Sequence, residues 1–358
     1  MTSDFYSMLE KTSLEGQLID FQSGIDILSS PDIDRLSLLQ AAYGVRYQTF
    51  GNRVKIHVLN NAQNGNCPED CSYCAQAKTS KADIPDYTIK SDDEILQEAR
   101  NAYEAGAFRY CMVFSGRGPT PYKVKRFSEI ISKIKETYPI EVCLSAGLLD
   151  QEATDQLKQA GLDRLNHNLN TGEEHYKTIC STHTYQDRLD TLESARQSGL
   201  ELCSGLIIGM GESHEDIVRL AFKFRELQVA SIPVNFYIPI PGNTFGKHTA
   251  LTPDFCLRVL SLFRFVNPKA EIRAAAGREI HLRGLQSLLF YPANSLFMDG
   301  YLNTTGTSPK ETFQLIQDAG FEIESDHSLD ELITSDSSEK ELAVDLKTIS
   351  QLKPALSD

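Results

Sequence analysis

The run FRYCMVFSG (108–116) is followed by VKRFSEIISKIKETY (124–138) and then by IEVCLSAG (140–147). The first and third runs are short, rich in β-branched and aromatic residues, and end in glycine, which is typical of strands. The middle run repeats its apolar residues at helical spacing. A strand, an amphipathic helix and a second strand in this order predict a βαβ unit with parallel strands.

The same alternation continues on both sides of this unit. A strand at 53–59 and a helix at 92–106 precede it, and a helix up to about residue 160 follows it. The remaining predicted strands are 163–169, 200–209, 231–240, 270–277 and 294–298, and the helices between them are 185–198, 213–227, 253–265 and 278–289. Strand and helix pairs that fill residues 51–320 predict an α/β fold, a (β/α)8 TIM-type barrel, rather than a doubly wound sheet. In such barrels the chemistry sits at the carboxyl ends of the strands.

Two segments flank the predicted barrel domain. Residues 1–50 form an N-terminal helical lead-in, with Ser30 expected as a helix N-cap and Pro31 at the first helical position. Residues 321–358 form an acidic C-terminal tail, in which ten acidic residues from Glu322 onward stand against three lysines. This composition predicts a solvated tail, and an acidic segment that binds a partner is the alternative.

Composition narrows the class of protein. The chain has 358 residues and a net charge of −14. Because phosphates and anionic lipids bind clustered cations, this charge argues against nucleic acid or a membrane as a partner. The start of the chain lacks a basic segment followed by an apolar one, and no stretch approaches the roughly 18 apolar residues of a membrane span. We therefore expect a cytoplasmic protein whose cysteines stay reduced.

Three cysteines stand close together in the loop after the first predicted strand. The stretch Cys67-Pro-Glu-Asp-Cys71-Ser-Tyr-Cys74 has C-x₃-C-x₂-C spacing. Structural zinc prefers four protein ligands, and no second cysteine pair of that kind follows, so zinc is the weaker alternative. A four-iron cluster held by three cysteines leaves one iron open, and an open iron is a place for chemistry.

Three further cysteines, Cys111, Cys143 and Cys203, lie on predicted strands. Taken singly, a strand cysteine is more often a small buried hydrophobic residue. Strands two, three and five of one barrel can project into the same cavity, so the set could hold a second cluster. Cys180 and Cys256 fit neither set, and we interpret both as structural.

The cysteine loop resembles the signature of the radical S-adenosylmethionine (SAM) superfamily. In chain order, NCPEDCSYCAQ, RYCMV, EVCLSAG, LNHNLNT, STHTYQDRLDTLESAR, CSGLIIGMGES and IRAAAGRE are similar to the biotin synthase family of that superfamily. The resemblance covers roughly residues 50–320. It implies an enzyme that inserts sulfur into dethiobiotin to give biotin, the last step of biotin synthesis.

The same resemblance implies two iron–sulfur clusters. Cys67, Cys71 and Cys74 would hold a [4Fe-4S] cluster that binds SAM and cleaves two SAM molecules in sequence to methionine and 5′-deoxyadenosyl radicals. An auxiliary [2Fe-2S] cluster would supply the sulfur, and its implied ligands are Cys111, Cys143, Cys203 and Arg273. Judged from its residue type alone, Arg273 would be an interior ion-pair partner, because arginine is a protonated donor without a lone pair for a metal.

The resemblance also assigns the binding side chains. The SAM contacts that it implies are Tyr73, Asn168, Asn170, Gly205, Ile207 and Gly209. The substrate contacts that it implies are Asn166, Asn168, Asn235, Thr304 and Thr305. The family normally has Asp at the position of Asn170, and Asn keeps an acceptor oxygen but loses the charge, so a weaker bond to the SAM ribose is expected. Residues 205–212 fit the pattern G-x-I-x-G-x-x-E, which by itself indicates only a buried strand that ends in a turn.

Partners and alternatives complete the expectation. The family implies flavodoxin or ferredoxin as the electron donor, and a homodimer. The first alternative is another radical SAM enzyme of the same barrel type, for carbon-skeleton rearrangement or metallocofactor maturation, which would not need the three strand cysteines. The second is a zinc or iron–sulfur module that serves as a sensor or scaffold. The histidines lack metal-site spacing, and we interpret them as structural or solvated.

Overall fold

The computed structural model describes residues 1–245 and 250–335. The strands within these ranges are β1 (Arg53–Gln63), β2 (Arg109–Phe114), β3 (Glu141–Ser145), β4 (Arg164–Asn166), β5 (Glu201–Cys203), β6 (Leu206–Ile208), β7 (Ser231–Phe236), β8 (Glu271–Ala274), β9 (Ser295–Phe297) and β10 (Glu322–Ile323). The helices are α1 (Ser3–Leu14), α2 (Phe21–Ser29), α3 (Arg35–Phe50), α4 (Asp92–Glu104), α5 (Pro121–Thr137), α6 (Gln151–Gln159), α7 (Glu173–Ile179), α8 (Tyr185–Gln197), α9 (His214–Glu226), α10 (Pro253–Val266), α11 (Arg278–Leu282), α12 (Pro309–Asp318) and α13 (Leu329–Ser335). A 3₁₀ helix, Arg283–Phe290, directly follows α11.

The strands close into one parallel barrel. Its order is β1-β2-β3-β4-β5-β7-β8-β9, and β9 pairs back onto β1. The short strand β6 continues β5, and both pair with β7. Together β5 and β6 therefore occupy one strand position of the barrel. The predicted (β/α)8 TIM-type fold is confirmed.

Side-chain caps set where several helices begin. Ser91, Thr184, Ser213 and Ser308 each accept a hydrogen bond from the backbone three residues on, and the acidic residue there bonds back to the cap. Each such capping box satisfies two amide donors that would otherwise lack partners, and a cap of this kind contributes about 1 kcal/mol. The helices therefore start at fixed points after the loops that carry the candidate site.

The predicted strand at 200–209 is interrupted at Gly205. A Cβ atom at this position would lie 1.9 Å from the carbonyl oxygen of Pro233 on β7, so only glycine fits there. The chain bends at this point, so that β5 pairs with the start of β7, at Ser231, and β6 pairs with its end, from Val234 to Phe236. The interruption lies beside the candidate site described below.

The helical lead-in is present, but its predicted cap is wrong. Ser30 is the C-terminal cap of α2, and Pro31 lies in the turn that follows. Asp34 caps the next helix, because its carboxylate accepts the amide of Ser37 at 2.8 Å. Asp caps a helix as well as Ser does, so the carboxylate two residues before the apolar run was an equally good candidate.

The lead-in helices cover α10 on the outside of the barrel. This helix packs against α1, α2 and α3, and it is buried on nearly all sides from Cys256 to Val266. Cys256 is fully buried there, in agreement with its structural interpretation. Among the described residues, no helix combines the length and apolar character that crossing a bilayer requires.

Two C-terminal predictions differ from the structure. The helix predicted at 278–289 stops at Leu282, because Arg283 adopts a positive φ of 51° and the chain continues as a 3₁₀ helix. The acidic segment from Glu322 is folded at its start rather than a free tail, since β10 pairs with β1 and α13 packs against α12, although Glu322, Asp326 and Asp330 are exposed. Residues 336–358, the rest of the predicted tail, lie outside the described residues, as do 246–249.

Candidate active site

The loop after β1 carries the first cysteine set, Cys67, Cys71 and Cys74. Backbone bonds fold this loop back on itself, and the amide of Cys74 donates to the carbonyl of Cys71 at 3.0 Å. All three cysteines line one cavity of about 280 Å³ at the carboxyl-terminal end of the strands. The structure therefore brings these three predicted ligands to a single space.

The chemistry of this donor set fits a four-iron cluster. Burial raises the pKa of the Cys67 thiol, and it raises the pKa of Cys74 to about 11. These thiols keep their protons near neutral pH until a metal displaces them. Three soft sulfur donors on one cavity are the ligands that iron–sulfur clusters select, and the cavity approaches the size of a small-molecule site.

Two carboxylates inside the cysteine motif anchor the loop, and sequence reasoning missed both. Asp70 accepts the backbone N–H of Ser181 at 2.9 Å and that of Thr182 at 3.1 Å. Glu69 accepts the hydroxyl of Thr182 at 2.6 Å and a guanidinium N–H of Arg117 at 3.3 Å. The acidic pair between Cys67 and Cys71 was the visible signal. Ser181 and Thr182, which bond to this pair, lie more than 100 residues further along the chain. No spacing rule could therefore reveal these contacts.

Cys180 and His183 also lie against this loop. The Sγ atoms of Cys180 and Cys71 are 3.7 Å apart, and the donor atoms of Cys71, Cys180 and His183 all lie within 4.8 Å of one another. The ring of His183 is committed elsewhere, because Nδ1 contacts the carboxylate of Glu69 and Nε2 accepts from Arg188 at 2.8 Å. This pattern puts the proton on Nδ1 and uses the lone pair on Nε2. In this arrangement His183 supports the loop through its contact with Glu69.

Three asparagines from the β4 segment form a row along the cavity wall. The side-chain amide of Asn166 donates to Oδ1 of Asn168 at 3.0 Å and contacts the Sγ of Cys203 at 3.3 Å. Asn170 adopts a positive φ of 69°, which Asn tolerates better than most residues, and its amide donates to the Tyr73 hydroxyl at 2.6 Å. The row thus extends from Tyr73 of the cysteine loop to one strand cysteine, Cys203.

The predicted SAM-binding glycines lie behind this wall. Of the described residues, Tyr73, Asn168, Asn170 and Ile207 line the cavity, whereas Gly205 and Gly209 do not. The amide of Gly205 donates to Oδ1 of Asn168 at 3.0 Å, and that of Gly209 donates to Glu212 at 2.7 Å. Gly205 therefore reaches the cavity through Asn168.

The predicted substrate contacts are only partly together. Among the described residues, Asn166, Asn235 and Thr304 line the cavity, whereas Thr305 does not. The side chain of Asn235 already joins two strands, because it donates to the carbonyl of Leu206 at 3.0 Å and accepts the amide of Ala276 at 3.2 Å. A ligand could use only the second N–H of the Asn235 amide and the remaining lone pair of its Oδ1.

The second cysteine set lies deeper in the barrel. Cys111 and Cys143 are register partners on β2 and β3, and Cys203 is paired with Asn166 of β4. The three side chains are 5%, 3% and 0% exposed and pack together. With Arg273 and Tyr301 they line a small separate cavity. Barrel closure thus brings together three thiols that are far apart in the sequence.

Arg273 faces these thiols from β8. Its Nη2 donates to the hydroxyl of Ser231 at 2.8 Å and to Glu271, and its guanidinium carbon lies 4.8 Å from the centre of the Phe297 ring. Its Nε is buried and has no hydrogen-bond partner among the described residues. An orphaned buried donor beside three thiols fits a bound group in the small cavity, since buried polar atoms are normally paired.

A buried carboxylate, Glu271, fixes the floor below Arg273. It contacts Arg109 and Arg164 at 3.1 Å each, and His57 at 3.0 Å. Although burial by itself raises the pKa of Glu271, the surrounding cations outweigh it and hold the pKa well below the usual range. The carboxylate is therefore ionised, and it holds Arg273 in one orientation.

The two cavities are stacked and share part of their walls. Val113, Ser145, Asn166 and Tyr301 line both. The two thiol sets thus face neighbouring cavities that are divided by these shared residues, one above the other. A small molecule in the upper cavity would lie between them.

Comparisons with known proteins agree with this geometry. The model of the radical SAM superfamily matches residues 64–224, and that of the biotin and thiamin synthesis associated domain matches residues 233–322. The chain is 57% identical over 316 residues to the biotin synthase of Magnetococcus marinus, covering 88% of this chain and 98% of that protein. It is 56% identical over 307 residues to the biotin synthase of Acaryochloris marina, covering 86% and 89%.

Solved structures share the fold at lower identity. Methylornithine synthase matches with a TM-score of 0.75 and 21% identity, covering 87% of this chain and 96% of that one. The FeFe-hydrogenase maturase HydG from Carboxydothermus hydrogenoformans matches with a TM-score of 0.77 and 17% identity, covering 92% and 82%. These likenesses concern the barrel and carry no argument about the reaction.

Proposed function

The chain belongs to the biotin synthase family of radical SAM enzymes, and we propose that it converts dethiobiotin to biotin by inserting sulfur. The observation that carries this proposal is the pair of stacked cavities, each lined by three cysteines and joined through shared wall residues. An enzyme that only generated a radical would need the upper set alone. The lower set, with Arg273, supports a sulfur source beneath the substrate.

The cofactors follow from the two donor sets. We assign a [4Fe-4S] cluster with SAM to Cys67, Cys71 and Cys74, and a [2Fe-2S] cluster to Cys111, Cys143, Cys203 and Arg273. When bound, the first cluster and SAM supply a radical that removes hydrogen from unactivated carbon, and the second supplies sulfur. The remaining work falls to the chain's own side chains.

Those side chains orient and shield the reactants. Asn170 and Tyr73, which are bonded to each other and line the upper cavity, would hold SAM. Asn166 lines both cavities and contacts the Sγ of Cys203, so it can hold the substrate over the lower set. The barrel wall would shield the reacting carbon from water on its sides, which matters because a radical must meet sulfur before it meets solvent.

Partners and cellular setting complete the proposal. An electron donor of the flavodoxin or ferredoxin type would supply the reducing electron for each SAM molecule. The protein would act as a homodimer in the cytoplasm, without nucleic acid or membrane as a partner. The net charge of −14 supports the last point, because it opposes binding to phosphate-rich surfaces.

The decisive experiment measures two products together. The full-length chain is loaded with iron and sulfide without oxygen and incubated with SAM, a reductant and dethiobiotin. We expect both 5′-deoxyadenosine and biotin. Deoxyadenosine without biotin would keep the superfamily and reject the substrate, whereas zinc in place of iron and sulfide would reject the radical chemistry.

A further inference from the structure

Cys180 makes a close contact that the proposed function does not use. Its Sγ lies 3.7 Å from the Sγ of Cys71, and the two residues are only 7% and 8% exposed. The contact joins the cysteine loop to the end of α7, where Cys180 is the C-terminal cap. A thiol beside one predicted cluster ligand is a chemical feature in its own right.

The backbone around the pair is tied on both sides. The amide of Ser72 donates to the carbonyl of Ile179 at 2.9 Å, and the amide of Ser181 donates to the carboxylate of Asp70 at 2.9 Å. The residues just after Cys71 and just before Cys180 are thus bonded to each other, as are those on the opposite sides. This double tie holds the two sulfur atoms in contact without help from a ligand.

A pair held in this way can be joined with little movement. A disulfide requires sulfur atoms about 2.0 Å apart and backbones that already lie close together. The hydrogen bonds on both sides meet the second condition, so rotation of the two side chains is the main change that remains. Asp70 also lies 3.4 Å from the Sγ of Cys180, which keeps that thiol on the side of the loop.

We propose that Cys71 and Cys180 form a reversible disulfide with a low-molecular-weight disulfide as the oxidant, whenever Cys71 is not engaged by a cluster. The pair is thus a modification site in which a ligand thiol and a thiol outside the cluster exchange partners. The disulfide itself rests on the contact alone. Its effect on cluster loading rests also on the proposed role of Cys71 as a ligand.

The order of events follows from access. Among the described residues, Cys71 lines the cavity and Cys180 does not, because Cys180 lies behind Cys71. A small oxidant in the cavity therefore meets Cys71 first. The sulfur of Cys71 attacks one sulfur of the oxidant RSSR, the S–S bond breaks, and the departing RS⁻ takes the Cys71 proton. The sulfur of Cys180 then attacks Cys71, and a second RS⁻ leaves with the Cys180 proton. The two cysteines lose two electrons, and RSSR gains them as two molecules of RSH.

The site would protect the loop from irreversible damage. A thiol at an open cavity can be oxidised through sulfenic to sulfinic acid, which most cells cannot reverse. A disulfide with Cys180 halts that sequence, and a dithiol or phosphine reverses it. The same bond would block one cluster ligand, so loading would require reduction first.

The test uses the full-length chain after its iron is removed by a chelator under anaerobic conditions. The chain is treated with cystamine, its free thiols are alkylated, and its peptides are mapped by mass spectrometry. We expect a Cys71–Cys180 cross-link in the wild type and a cysteamine adduct on Cys71 in Cys180→Ser. Cys256→Ser, which changes a buried thiol of α10, is the matched control and should behave as the wild type does.

Other cysteine pairs provide the contrary outcomes. A cross-link from Cys71 to Cys67 or Cys74 in place of Cys180 would overturn the proposal. So would a wild-type chain that keeps the cysteamine adduct without resolving it. If Cys180→Ser fails to fold, as judged by circular dichroism, Cys180→Ala and the wild-type map still decide the matter.

A second measurement separates this proposal from the function above. The cross-linked chain should take up less iron and sulfide at the loop than the phosphine-treated chain, as read from absorption and acid-labile sulfide. The loaded wild type should resist cystamine at Cys71. A loop that binds no cluster even when reduced would reject the proposed function while leaving the cross-link intact. Equal loading with and without the cross-link would overturn the predicted block.

Discussion

The two cysteine sets are held in opposite ways. Cys67, Cys71 and Cys74 lie on an irregular loop that is tied to the rest of the molecule by the carboxylates of Glu69 and Asp70. The second set, Cys111, Cys143 and Cys203, lies on strands whose ladders fix each position. The loop set includes partly exposed thiols, whereas the strand set is buried.

This difference suits two different tasks. A ligand that enters and leaves with every turnover, such as SAM, needs a site with an open face, and loops provide it. A sulfur source must keep a fixed distance from the substrate carbon, and rigid strands hold such positions more precisely than loops do. The division of labour can be tested by changing one set at a time.

The largest effects should come from the ligands themselves. Cys74→Ser should abolish both 5′-deoxyadenosine and biotin, because the open-faced set loses a thiolate. Cys143→Ser should keep deoxyadenosine within a few-fold and reduce biotin by more than about 100-fold, beyond the range seen when only supporting residues are changed. Product analysis by liquid chromatography measures both. Equal loss of deoxyadenosine in the two variants would show that the sets are not separable.

The support of the strand set should matter next. Glu271→Gln leaves Arg109, Arg164 and Arg273 around a neutral residue, and removing one partner of a buried charge network costs about 3–5 kcal/mol. The matched control is Glu201→Gln, because Glu201 also pairs with Arg164 but its side chain is 57% exposed. That change should cost about 0–1 kcal/mol. Urea unfolding of both variants gives the comparison, and similar values for the two would contradict it.

The same carboxylate predicts a dependence of stability on pH. The pKa of Glu271 is lowered in the folded chain by the surrounding cations, despite the opposing effect of burial. Its contribution is therefore complete above about pH 4.3, the value expected in the unfolded chain, and is lost as the pH falls further. The free energy of unfolding of Glu271→Gln should approach that of the wild type at acid pH. A gap that stays constant from neutral to acid pH would contradict the assignment.

The smallest effect should come from the loop side of the cavity. Asn170→Asp introduces a charged acceptor beside Tyr73, whose hydroxyl can donate to a carboxylate as readily as it accepts from the amide. A charged acceptor strengthens a hydrogen bond by about 1 kcal/mol, so the Kd for SAM should fall by about 5-fold. Equilibrium binding to the cluster-loaded chain measures it. Asn168→Asp is the control, because Asn168 is bonded to Gly205 and the change adds the same charge to the same wall of the cavity. An equal fall in the Kd for SAM in this variant would show that the position of the charge does not matter.

Some of the site was visible in the sequence because it is local. The spacing of Cys67, Cys71 and Cys74 needs no knowledge of the fold, since a short loop can bring such neighbours together. The asparagines at 166–170 lie at the carboxyl end of the predicted strand 163–169, where such barrels place their chemistry, and the family resemblance assigned their roles. The cap at Asp34 was missed because Ser30 followed by Pro31 is a similar signal, and only packing decided between them.

Other parts depend on residues that are distant along the chain. The anchoring of Asp70 by Ser181, the contact of Cys71 with Cys180, and the ion pairs of Glu271 with Arg109 and Arg164 each join different segments of the barrel. No periodicity or spacing carries this information, and the resemblance to a family does not assign Cys180. The engagement of Asn235 with Leu206 and Ala276 was equally invisible.

The sequence by itself determined the alternation of strands and helices, the closed barrel that follows from it, and the three thiols of the loop, because all of these arise from short-range patterns. Only the tertiary structure decided that the strand thiols share a cavity with Arg273, that this cavity lies beneath the first, and that Cys180 contacts Cys71. The reason is physical. Closing the barrel converts registers between strands into distances between side chains, and those registers are set by packing across the whole molecule.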